Sequence, residues 1–241
     1  MDEPVAWSVL SRNLPEHAGN RIHTDAGARA AGYPAALVAG VTTYAYLTHP
    51  CVAAWGLDWL EHGGGEVRFR APVFDGDRVD CVPTPTADGV RIEAICSARS
   101  SAPRADFHAV RRCADARERT GRQLPVKRIV LDGQFGSGYG QRAGDELDVY
   151  ARNGVVHPAV WPALANRVYS LELVRGPWIH TRSVIRHHAL GPPGASVDVR
   201  ATVVDEFERN GRRVVCDVLI EHAGRLLASI EHEAIVELAE H

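Results

Sequence analysis

The chain has 241 residues, 45% of them hydrophobic and 24% charged, which is enough apolar mass for one large domain or two small ones. Its formal charge of −3 disfavours nucleic acid, whose recognition needs a basic face, and no apolar run reaches the ~18 residues of a membrane span. The five cysteines (Cys51, Cys81, Cys96, Cys113, Cys216) are odd in number and scattered without a C-x-x-C pair, which reads as reduced packing residues.

The opening Met1-Asp2-Glu3-Pro4 has neither the basic nor the apolar stretch of a secretory signal, so a cytoplasmic location is expected. Residues 5–14 carry a weak strand pattern, and Pro15-Glu16-His17-Ala18-Gly19 reads as a polar loop. Thr24 or Asp25 is placed to cap a short helix to Ala31, which Gly32-Tyr33-Pro34 ends, because the residue before a proline avoids helical angles. Residues 41–60 are helical in pattern and apolar nearly all round, the mark of a buried helix. Pro50 is expected to break or kink it, and Gly63-Gly64-Gly65 to end it. Its start at Gly40 leaves first-turn N–H groups free, suited to a carbonyl oxygen that gains negative charge.

Strand patterns then recur at 66–70, 77–83, 90–98 and 106–112, which predicts an antiparallel sheet wrapped on that helix. Residues 115–145 are charged and then glycine-rich at Gly136-Ser137-Gly138-Tyr139-Gly140. The G-x-G-x-G spacing does not make a dinucleotide loop, and a flexible connection is expected. A second apolar helix spans 158–174, followed by strands at 178–188, 196–204, 213–221 and 226–238, the last two joined by a hairpin turn at His222-Ala223-Gly224-Arg225. The plan is thus repeated. Arg68, Ala71, Gly76, Val79 and Asp80 recur as Arg186, Ala189, Gly194, Val197 and Asp198, each 118 positions later, which points to internal duplication.

Of the twelve histidines, His187, His188 and His232 fall in strand-like segments without an i,i+4 histidine or a cysteine pair. They are read as surface or strand-face residues, and no metal site is expected. His23 stands between the apolar Ile22 and a helix start, within a polar cluster with Asn20 and Asp25. Asn20 also suits a turn, and Asp25 suits a first-turn carboxylate. Arg68, Arg70, Arg182 and Arg186 read as surface strand arginines.

A long helix wrapped by an antiparallel sheet, present twice, resembles a double hotdog, an α+β fold. Residues 20–80 also resemble the MaoC-like family of R-specific enoyl-thioester hydratases and dehydratases. The carrying residues are N-x-I-H-x-D (Asn20, Ile22, His23, Asp25), the turn to Gly32-Tyr33-Pro34, L-V-A-G-V (Leu37 to Val41) and R-F-x-A-P-V-x-x-G-D (Arg68 to Asp77). The resemblance implies a first repeat at 1–114 carrying the site, a linker at 115–145 and a structural repeat at 146–241. His23, Asn20 and Asp25 are then the expected catalytic group, and Gly40, Val41, Tyr33 and Tyr44 the expected substrate-binding group. The family pattern D-x-N-P-x-H-x-D departs here at two places: Ala18 stands for the first Asp and Arg21 for the Pro. Asp25, Glu16 or His17 would have to stand in for the missing carboxylate. The implied substrate is an acyl-CoA or acyl-carrier thioester, with no cofactor. A hydratase, a non-catalytic thioester binder and a thioesterase are the three readings, in that order. Two repeats in one chain permit a monomer as well as a homodimer.

Overall fold

The computed structural model describes residues 3–116 and 118–238; Met1 and Asp2 of the acidic start and Arg117 lie outside them. The first repeat begins with β1 (Trp7–Leu10), continues through a loop to the short α1 (Asp25–Ala30) and the long α2 (Gly40–His62), and closes with β2 (Gly64–Phe69), β3 (Arg78–Pro85), β4 (Val90–Ile95) and β5 (Ala105–Val110). Every residue from Val41 to Val52 of α2 is buried, as its all-round apolarity requires. The helix packs on β3, β4 and β5 of its own repeat and on β8 of the other, introduced below. Tyr44, Leu47, Trp59 and Leu60 anchor it; burying a large apolar side chain stabilises by about 1.5–3 kcal/mol.

Pro50 does not interrupt α2. Its ring supplies a helical φ, and the helix runs on to the one non-helical residue, Gly56, at φ 56° and ψ −142°. A residue with a Cβ would be strained there. The bend turns Trp59 and Leu60 back into the core. Gly64 and Gly65, expected only to end the helix, already belong to β2. A Cβ on Gly64 would meet the Ile185 carbonyl oxygen at 2.2 Å, so the strand comes closer to its neighbour than a side chain allows.

The segment expected as a flexible connection is packed. Its backbone and guanidinium at Arg119 bond Asp217 of the second repeat. It then adds β6 (Arg122–Gln123) and β7 (Lys127–Val130), both paired with β9, and the short α3 (Tyr139–Ala143) and α4 (Val149–Asn153). Leu131 and Tyr139 are buried anchors within it. Polar sequence hid this, because the stretch binds mainly through ion pairs and sheet edges.

The second repeat consists of α5 (Val160–Glu172), β8 (Ile179–His187), β9 (Ser196–Glu208), β10 (Gly211–His222) and β11 (Arg225–Leu238). The expected hairpin joins β10 to β11, with Ala223 and Gly224 both at positive φ (49° and 78°), the geometry of a tight two-residue turn. Among the described residues the strands form one antiparallel sheet in the order β1-β3-β4-β5-β2-β8-β11-β10-β9-β6, with β7 also pairing β9. The repeats join where β2 meets β8: Gly64 pairs with Arg186, Glu66 with Val184 and Arg68 with Arg182. Under the 118-residue spacing Glu66 and Val184 are equivalent positions, while Gly64 and Arg68 exchange partners. The junction therefore has a local two-fold axis through the Glu66–Val184 pair.

Candidate active site

The loop between β1 and α2 is held down by its own backbone. Leu37 N–H donates to the Ile22 carbonyl (3.0 Å), Val38 N–H to Val73 (2.8 Å), and Leu37 bridges to Phe74. This brings His23 against Leu37, whose carbonyl accepts from His23 Nδ1 at 2.8 Å. A carbonyl can only accept, so Nδ1 carries the proton and Nε2 keeps its lone pair. Burial lowers the His23 pKa, opposed by the Leu37 bond, and the ring is neutral at neutral pH.

A cavity of about 260 Å³ lies beside this ring, lined from the first repeat by Asn20, Ile22, His23 and Gly40 and from the second by Trp178 and His180. Gly40 is the first residue of α2 after Ala39, which has extended angles. The N–H groups of Thr42 and Thr43 donate to Ala39; those of Gly40 and Val41 have no carbonyl four residues back within the helix. An adjoining cavity of about 270 Å³ shares Asn20, His23 and Trp178 and adds Glu16, His17 and Tyr139.

The other expected residues separate. Asn20 Nδ2 donates to the Trp178 carbonyl (2.8 Å), so its amide ties the loop to the second repeat. Asp25 is exposed, accepts from the Ala36 N–H (2.9 Å) and faces Arg29; Thr24 caps α1 by accepting from Gly27 N–H. Tyr33 lines the cavity. Val41 packs with Ala39 and Ala163, and Tyr44 packs edge-on to Phe107, fully buried; neither faces the cavity, because both sit on helix faces turned to the core. Ala18 is exposed and offers no carboxylate. The carboxylate nearest in sequence, Glu16, lines the second cavity and accepts two bonds from Arg142 at 3.1 Å. His17 bonds Thr42 Oγ1 (3.2 Å), and burial, with His23 and Arg142 nearby, lowers its pKa to about 3. Three of the strand arginines are paired: Arg68 with Glu66, Arg70 with Asp106, and Arg182 with Glu66 and Glu231.

The sequence reading missed His180 and its partner Ser183. Strict strand alternation puts positions three apart on opposite faces. A register shift opposite Glu233 and Ala234 leaves Thr181 as an extra residue, and both side chains turn inward. His180 Nε2 lies 2.8 Å from Ser183 Oγ, which lies 2.8 Å from His232 Nδ1. His232, read as a surface or strand-face residue, is on a strand face and completely buried.

No protein-family model matches the chain, and no curated protein does. Solved structures do. A conserved Mycobacterium tuberculosis protein described as having a double hotdog fold superposes at a TM-score of 0.65 with 12% identity, over 98% of this chain and 96% of that one. The fold is a double hotdog. A MaoC-like dehydratase superposes on the double hotdog at 0.61 with 12% identity, over 99% of both chains. A protein described as an oleoyl thioesterase, from Lactobacillus plantarum, does so at 0.55 with 10% identity, over 98% of this chain and 97% of that one.

Proposed function

We propose that the protein is a hydratase or dehydratase of acyl thioesters. One observation carries this reading: a neutral histidine with a bare Nε2 and the open start of a buried helix line a single cavity. In the hydration direction, a water oxygen bonds to the β carbon of the enoyl thioester and its proton passes to His23 Nε2. The electrons of the double bond move onto the thioester oxygen, where the Gly40 N–H holds the developing charge. His23 then returns the proton to the α carbon, giving the 3-hydroxyacyl thioester and the starting enzyme.

Neutral His23 suits this role, since its lowered pKa keeps it in the base form at pH 7. The family carboxylate is absent at Ala18, and Glu16 is held by Arg142, so His23 works without a charged partner. A groove lined by Arg21, Arg29, Arg175 and Arg212 adjoins the cavity through Tyr33 and Ile179, which suits a carrier bearing phosphate. The two repeats complete the site within one chain, so a monomer can act.

The test is loss of enoyl absorbance with crotonyl-CoA and longer enoyl-CoAs, for the parent and His23→Ala. Turnover that the substitution abolishes supports the enzyme. Binding without turnover in either protein supports a thioester-binding protein instead. Release of free thiol from saturated acyl-CoA would support a thioesterase.

A further inference from the structure

We propose that His180 is a second oxyanion donor, supplied by the second repeat and aimed at the same substrate oxygen as the Gly40 N–H. The proposal rests on the acyl-thioester reading above and gives that site a residue the sequence did not suggest. His180 is 7% exposed, lines the cavity and has a ring nitrogen, Nδ1, without a hydrogen-bond partner among the described residues. That nitrogen lies beside the helix start: a Cβ built on Gly40 would stand 3.4 Å from it and 3.3 Å from the Phe69 ring. Phe69 packs against the imidazole at 4.6 Å between ring centres and holds its plane.

The direction of the hydrogen bonds decides whether Nδ1 gives or takes a proton. Burial keeps both His180 and His232 neutral, outweighing at His180 the pull of the Arg182 backbone, which approaches the ring without hydrogen-bond geometry to Nδ1, so each ring has one N–H and one lone pair. Ser183 has a single hydroxyl proton and lies between them. If Ser183 donates to His232, His180 must donate to Ser183; Nδ1 is then bare, and the other N–H of the chain is His232 Nε2. That atom is buried with no partner among the described residues. If Ser183 donates to His180, His232 donates to Ser183, and the free N–H is His180 Nδ1, at the cavity. An orphaned buried N–H is rarer than an orphaned acceptor. The second sense puts the orphaned N–H on the ring that lines the cavity, buried beside the start of α2, and leaves only a lone pair on His232. Neutral imidazole in this tautomer donates without surrendering its proton, as suits a group that stabilises charge rather than transferring a proton.

The experiment joins a spectroscopic arm to a kinetic one. Nitrogen-15 NMR of the histidine side chains, assigned with His180→Gln and Ser183→Ala, reads the tautomer. A protonated Nδ1 on His180 is expected in the parent, and Ser183→Ala should mix the tautomers. A bare Nδ1 in the parent would overturn the proposal by itself. Kinetically, His180→Phe keeps the ring volume and removes the donor, and should lower kcat on crotonyl-CoA by about 100- to 1000-fold with KM changed far less. His180→Gln restores a donor and should recover part of that loss. Should His180→Phe not fold, as judged by circular dichroism, Ser183→Ala carries the same test with a smaller loss of kcat. A parent that turns over with His180→Phe within threefold of it sinks the His180 role and leaves the hydratase reading standing. A parent that neither binds nor converts any acyl thioester sinks both.

Discussion

The two long helices begin in opposite ways, although they belong to equivalent units of the duplicated plan. At α2, Gly40 opens onto a cavity, and His180 Nδ1 beside it lacks a hydrogen-bond partner among the described residues. At α5, the start is sealed. Pro158 has no N–H to offer, Ala159 N–H donates to His157 Nδ1 (3.1 Å), and Val160 N–H donates to the His157 carbonyl (3.0 Å). His157 Nε2 donates onward to Asp145 (3.1 Å), which also accepts from His49 Nδ1 (2.9 Å), Leu147 N–H (3.0 Å) and Tyr150 (3.1 Å). Burial pushes the Asp145 pKa up, and the bonds from His157 and His49 outweigh it, holding the carboxyl below its ordinary range. Histidine is buried at both starts. Full satisfaction at one makes a clamp, and an unpartnered ring nitrogen at the other leaves room for chemistry.

Acid should separate the two kinds of histidine most sharply. Burial lowers the pKa of His180 to about 3 and of His187 to about 4, and holds His232 lower than its ordinary value. The unfolded chain binds protons on these groups below about pH 6.5 while the folded chain does not, so stability falls as pH drops. The expected loss is about 1.5 kcal/mol for each of His180 and His187 between pH 6.5 and 5, with His232 adding in the same direction. Urea melts across that range check it; a flat profile would mean the rings are charged or solvated in the fold. Asp145 acts in a lower window. Its depressed folded pKa contributes stability that persists above the unfolded carboxyl value and is lost only as pH falls beneath it.

His23→Ala should reduce kcat/KM on enoyl-CoA by roughly 100- to 10,000-fold, the range for a positioned base. Gly40→Pro would copy the α5 start onto α2. Proline is welcome at the first helical position, and Ala39 already has the extended angles that precede it (φ −62°, ψ 142°). Circular dichroism should be unchanged while turnover falls by about 100-fold or more, through the lost N–H together with a ring that crowds Phe69 and His180, whereas Gly40→Ala, which crowds them but keeps the N–H, should lose less. The converse change, His157→Ala, should lower stability by about 3 kcal/mol, since it strips a donor from buried Asp145 and an acceptor from Ala159. Acyl-thioester binding should survive it when measured at low temperature. Asp25→Asn should do least, leaving turnover within about twofold and costing a few tenths of a kcal/mol at the α1 dipole.

Much of the fold was legible because its signals are local. Residues 90–98 alternate, and Val90, Ile92 and Ala94 do face inward. The hairpin at Ala223-Gly224 announces itself by composition. The all-round apolar stretch from Val41 became a helix buried on every side. His23 and Gly40, with no periodicity to connect them, do line one cavity; Val41 and Tyr44 went to the core, because a helix start exposes its backbone on one side only.

Local pattern, then, determined the helices, the strands and the duplicated order, since hydrophobic period and turn chemistry act over a few neighbours. Tertiary structure alone decided which distant residues meet. Asn20 reaches Trp178, Glu16 reaches Arg142, and one extra residue at Thr181 swings His180 toward Ser183 and the start of α2. A strand's face reverses with a single-residue slip, and that slip depends on the pairing of β8 with β11, fifty residues further along the chain.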